Sequence, residues 1–111
     1  MSDKLAIILV SADRKVLEMG LHYTRNAISH AWLPEIQVYL FGPSEVTIAT
    51  DPELRDTLQE IIALGTVPVA CKWCADKYHV TALLEELGCG VAYIGEPVSM
   101  AIRAGFTPMT W

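Results

Sequence analysis

The stretch KLAIILV, Lys4 to Val10, constrains the fold more than any other part of the chain. From Leu5 onward every residue in it is apolar, and Ile7, Ile8 and Val10 are β-branched. Side chains alternate between the two sides of a strand, so a run with no polar position has no side fit for water. Such a strand needs cover on both faces, the condition met in parallel sheets flanked by helices. The rest of the chain is organised to provide it. Asp13 can cap a helix in which Val16, Leu17, Leu21, Thr24, Ala27, Ile28 and Ala31 recur at helical spacing, and Pro34 closes that connection.

A second strand, Ile36 to Phe41, runs into GPSE, where Gly42 and Pro43 mark a loop or turn. TDPELRDTLQEIIALG follows. Asp51 suits the N-cap, Pro52 the first helical position, Leu54, Leu58, Ile61 and Ile62 the buried stripe, and Gly65 the stop. A third strand, Val67 to Ala70, delivers Cys71 at its carboxyl end, and Leu83, Leu84 and Leu87 mark a further helix ending at Gly88. Strand four is read as Gly90 to Ile94. Gly95, Glu96 and Pro97 then open a short helix carrying Val98, Ala101 and Ile102, which Gly105 ends. TPMTW reads as a closing strand, and Pro108 suits an edge better than a centre. Strands and helices alternating in this way predict an α/β fold with a mostly parallel sheet covered on both faces. At 111 residues the chain fits one domain over positions 1–111.

A net charge of -5 with no basic stripe excludes nucleic acid as a natural partner, since phosphate neutralisation supplies most of that affinity. The longest apolar run is far shorter than the ~20 residues a membrane helix requires. No basic-then-apolar leader precedes the first strand, which leads to the expectation of a cytoplasmic protein. The hydrophobic share, 52%, exceeds that of an ordinary soluble domain and points to buried subunit surface.

Three cysteines, an odd count without an export signal, argue for reduced or reactive thiols rather than a disulfide framework. Ligands of open α/β sheets gather at the carboxyl ends of the strands, where Cys71 falls. A helix starting at Lys72 or Trp73 would bring backbone N–H groups to the Cys71 sulfur, and Lys72 and Lys77 would add positive charge; all of these favour the thiolate. Cys74, three residues on, would share its face and act as a resolving partner. The competing reading is that cysteine is a small buried hydrophobe, and it suits Cys89, between two glycines, best. A zinc site built on Cys71, Cys74, His79 and Cys89 lacks a convincing second half, so no metal and no cofactor is expected. His79 is read as a polar neighbour of the cysteine loop, His22 and His30 as solvated helix residues. Trp32 and Trp111 read as core or interface anchors, whereas Trp73 beside a reactive thiol can shield it or meet a partner. Gly95 offers backbone to a small anion at the start of the last helix. Ser44 or Glu45 can line a pocket, although a turn and helix cap explain them equally well. No phosphate-binding glycine pattern is present.

Taken together, the first apolar strand, FGPSE, PVAC and the passage LLEELGCGVAYIGEPVSMAIRAGFTPMTW resemble the DsrE/DsrF-like superfamily, which includes YchN-like and TusD-like proteins. The cysteine after strand three and the passage from Gly88 to Pro97 carry the likeness most specifically. The resemblance implies a three-layer sandwich with a five-stranded sheet, assembled as a homo-oligomer (a trimer or hexamer) with Cys71 near a subunit boundary. In sulfur-relay branches the matching cysteine carries a persulfide between a donor and an acceptor protein. Cys74 departs from the one-cysteine relay pattern. The leading expectation is thus a sulfur carrier or sulfurtransferase-like protein with Cys71 and Cys74 as catalytic residues and Lys72, Trp73, Gly95 and Glu96 as substrate-binding residues. The alternatives are a dithiol redox protein using Cys71 and Cys74, or an oligomeric module binding a small anion.

Overall fold

A computed structural model describes residues 3–111. Its sheet consists of β1 (Lys4–Leu9), β2 (Glu35–Leu40), β3 (Val69–Cys71), β4 (Gly90–Ala92) and β5 (Thr107–Thr110), in the order β4-β3-β2-β1-β5. Every pairing is parallel, so the sheet is all-parallel rather than mostly so. The helices are α1 (Arg14–Ser29), α2 (Pro43–Thr50), α3 (Pro52–Ala63), α4 (Lys72–Lys77), α5 (Thr81–Glu86) and α6 (Gly95–Arg103). β1, the apolar strand, lies between β2 and β5, and Leu5, Ala6, Ile7 and Leu9 are buried.

Alternation along the strands divides the core. Leu5, Ile7 and Leu9 of β1, Val38 and Leu40 of β2 and Ala70 of β3 face a large cluster completed by Leu17 and Leu21 of α1, Ile48 of α2, and Leu54, Leu58 and Ile61 of α3. Ala6 and Tyr39 point the other way, into a smaller cluster with Ile94, Ala101 and Phe106. Helices therefore cover both faces, although α6 contributes the only helical residue buried in the second cluster.

The helix caps follow the sequence. The Asp13 carboxylate accepts from the Lys15 and Val16 N–H groups, and Asp51 accepts from those of Glu53 and Leu54. β5 takes the predicted edge, with Pro108 where no further strand requires an N–H. Three readings are corrected. The third strand begins at Val69 rather than Val67, the fourth ends at Ala92 rather than Ile94, and Pro43, read with Gly42 as a loop or turn, begins α2. Only Gly42, with φ of 53°, is the turn, in a left-handed conformation that glycine adopts without strain. Trp111 packs against the main core, while Trp32 is 56% exposed and stacks on His30.

Gly20 of α1 allows that packing. A Cβ there would lie 2.8 Å from Trp111 Cγ and 3.0 Å from Leu9 Cδ2. Alanine would favour the helix by up to ~1 kcal/mol, but forcing a methyl into a filled site costs about 1–3 kcal/mol. Gly20→Ala is therefore expected to lower stability by roughly 1 kcal/mol. Urea unfolding followed by tryptophan fluorescence checks this, and an unchanged or raised midpoint would mean the ring yields freely.

Candidate functional site

The carboxyl ends of β1, β2 and β3 converge where two chain reversals meet. One is the Gly42 turn into α2, the other the direct passage from β3 into α4. Ser44 fastens the first, its hydroxyl donating to the Leu9 carbonyl at 2.7 Å and the Phe41 carbonyl at 2.8 Å, which ties the start of α2 to the ends of β1 and β2. Cys71 is both the last residue of β3 and the N-cap of α4, as the sequence predicted, and its side chain makes no capping hydrogen bond. It is half-buried against the smaller core cluster, not sealed within it.

Cys74 is also half-buried, one turn into α4. Glu45, read from the sequence as able to line a pocket, joins them from the first turn of α2. One donor atom from each of Glu45, Cys71 and Cys74 lies within 4.8 Å of the others. Glu45 has no exposed surface, and neither carboxyl oxygen has a hydrogen-bond partner. Burial pushes its carboxyl up to about 7, a rise that the nearby Cys71 backbone N–H partly opposes. The Cys74 thiol is raised first by burial and next by its hydrogen bond to Cys71; the Gly42 N–H pulls the other way, and the charges of Cys71 and Glu45 add to the rise. Cys89 is buried as expected, its thiol pushed up to about 11 by burial and then by the charge of Glu45. Among the described residues, these three side chains are the ones that could hold a metal ion; His79 and Cys89 stand outside the group.

The lysines are placed differently from expectation. Lys72 Nζ is 2.9 Å from Asp76, and Lys77 Nζ lies over the Trp73 ring at 4.8 Å, so both cations are engaged within α4. The titratable side chain grouped with the two thiols is an acid, Glu45. Trp73 itself is 61% exposed. Tyr93 lies close enough for its charge to act on Lys72, which brings the end of β4 beside the start of α4. Gly95 and Glu96 are exposed at the start of α6, outside the Glu45, Cys71 and Cys74 group. His79 adopts φ of 59° in the turn between α4 and α5, also in the exposed class.

No protein-family model and no curated protein matches this sequence. Two solved structures share its fold. A conserved protein of unknown function from Bacteroides thetaiotaomicron, BT1422, superposes with a TM-score of 0.90 at 25% identity, over 98% of this chain and 95% of that one. The YchN protein of E. coli superposes with a TM-score of 0.77 at 16% identity, over 97% of this chain and 98% of its own.

Proposed function

Because the chain has the DsrE/YchN-like fold, we propose that it is a small sulfur carrier in which Cys71 accepts sulfane sulfur and relays it as a persulfide. The observation that carries this reading is the half-exposed thiol pair at the carboxyl edge of the sheet, with Cys71 at the start of a helix. The Cys71 thiolate attacks the outer sulfur of a donor persulfide. A bond forms between Cys71 Sγ and that sulfur, the donor S–S bond breaks, and the donor leaves as a thiolate. An acceptor thiolate then attacks the same outer sulfur and restores the Cys71 thiolate. Lys72, Trp73, Gly95 and Glu96 are assigned to the approach of donor and acceptor.

The hydrogen bond between the two thiols favours a second reading, a dithiol redox couple. A Cys74 thiolate attacking Cys71–S–SH would expel hydrosulfide and leave a Cys71–Cys74 disulfide. The raised Cys74 thiol stays largely protonated at neutral pH, which slows that discharge and supports carriage. Exposed apolar side chains, Trp73 and Tyr93 near this edge and Met100 and Ile102 farther along α6, support assembly into a trimer or hexamer. A reducing, cytoplasmic setting suits the free thiols, and no helix among the described residues is long and apolar enough to cross a membrane.

The test is intact mass after the reduced protein meets a persulfide or thiosulfate donor. One added sulfur, mapped to Cys71, is expected. Loss of two hydrogens would identify the redox couple instead, and an unchanged mass would refute both.

A further inference from the structure

We propose that Glu45, Cys71 and Cys74 form a binding site for a thiophilic divalent cation of the Zn²⁺ class, three protein ligands with the fourth coordination position open to solvent. The inference goes beyond sulfur carriage and does not depend on it. Tetrahedral zinc holds sulfur at ~2.3 Å and carboxylate oxygen at ~2.0–2.2 Å, which sets donor–donor separations of roughly 3.5–4 Å. Donors already within 4.8 Å of one another close to that spacing through small side-chain adjustments. The C-x-x-C spacing presents both sulfurs from one end of α4.

Glu45 provides the independent observation. A carboxyl group with no exposed surface and no hydrogen-bond partner is costly to bury, and here its oxygens lie beside two thiol sulfurs. A bound cation would satisfy it. A bound cation would displace the protons held on Cys74 and Glu45, leaving two thiolates and a carboxylate as its donor set. Mixed thiolate and carboxylate donors suit zinc, while calcium and magnesium require oxygen throughout. The Gly42 N–H lies beside the Cys74 sulfur and can support it from outside the ligand set. The ligand that Cys71 and Cys74 lack in the sequence, sought there as His79 or Cys89, is thus a carboxylate from α2. Three protein ligands with one open position match catalytic rather than structural zinc, and the half-exposure of both cysteines provides access. An ion held here occupies the Cys71 sulfur, so metal binding and sulfur loading exclude one another.

Reduced, chelator-stripped protein is titrated with Zn²⁺ against a chromophoric chelator, and with Co²⁺ as a spectroscopic probe. One ion per chain is expected, with a sulfur-to-cobalt charge-transfer band and the strong visible absorption of a tetrahedral site. Glu45→Gln should weaken Zn²⁺ binding at least ~10-fold while both thiols still react with a thiol reagent and Cys71 still gains one sulfur in the mass assay. That difference separates failure of the metal site from failure of the carrier reading. Glu45→Asp, its carboxylate drawn back by one methylene, should weaken binding as well and stands in if the glutamine variant does not fold. Unchanged Zn²⁺ affinity in the folded Glu45 variants, or a Co²⁺ spectrum without the sulfur band, overturns the proposal.

Discussion

Cys71→Ser protein is expected to gain no sulfur above background from a persulfide donor, while Cys74→Ser protein still gains one atom and no longer forms the intramolecular disulfide. The contrast follows from position. Cys71 ends β3, packs against the smaller core cluster without being sealed in it, and caps α4, where it stays open to a donor. Cys74 lies deeper in effect: burial and its hydrogen bond to Cys71 both keep its proton on. Serine is nearly isosteric with cysteine but is not nucleophilic at neutral pH without a base, so the loss is chemical rather than structural. At a half-buried position the stability change should stay within about 1 kcal/mol. Intact mass with peptide mapping reads the outcome, and equal loading of Cys71→Ser and the unaltered protein would remove Cys71 from the reaction.

Glu45→Gln should change how the stability of the metal-free protein depends on pH. Burial holds the Glu45 carboxyl up to about 7 in the folded chain, against 4.5 when exposed. Between those values the unfolded chain has lost a proton that the folded chain keeps. Stability contributed by this group is therefore complete below about pH 4.5 and falls as pH rises to about 7, where it levels. The full difference is about 3 kcal/mol. Glutamine keeps a similar shape and does not titrate, so the variant should match the unaltered protein near pH 4.5 and exceed it by about 2–3 kcal/mol at pH 8. Urea unfolding in chelator at both pH values measures this. Parallel pH curves for the two proteins would show that Glu45 is not held in a water-poor site.

Elements whose signals are local were legible in the sequence. β1 reads from its unbroken apolar run, and α3 from Asp51, Pro52 and its buried stripe. α2 was not, because PSEVTIAT has no helical periodicity and is rich in β-branched residues. Tertiary contacts hold it instead: Ser44 on the Leu9 and Phe41 carbonyls, and Thr47 donating to the Ala12 carbonyl at 2.9 Å. Glu45 was legible as a residue able to line a pocket, but its burial and approach to the cysteines depend on that helix and were not. The thiol pair itself was readable from spacing and strand order. The lysines were read as charge for Cys71, although the spacing of Lys72 with Asp76 and of Trp73 with Lys77, each four residues on one helix, already offered them nearer partners.

The position of β1 sets the timetable of folding. Leu5 pairs with Ile36 on one side and with Thr107 on the other, and the Trp111 carbonyl accepts from Val10 N–H at 2.8 Å. During synthesis at ~5–20 residues per second, the β5 side of β1 waits roughly 5–20 s for its partner. Until then an apolar strand presents an unpaired row of backbone groups, the shape that recruits other chains. A nascent chain stalled before residue 107 is thus the form of this protein most in need of a chaperone.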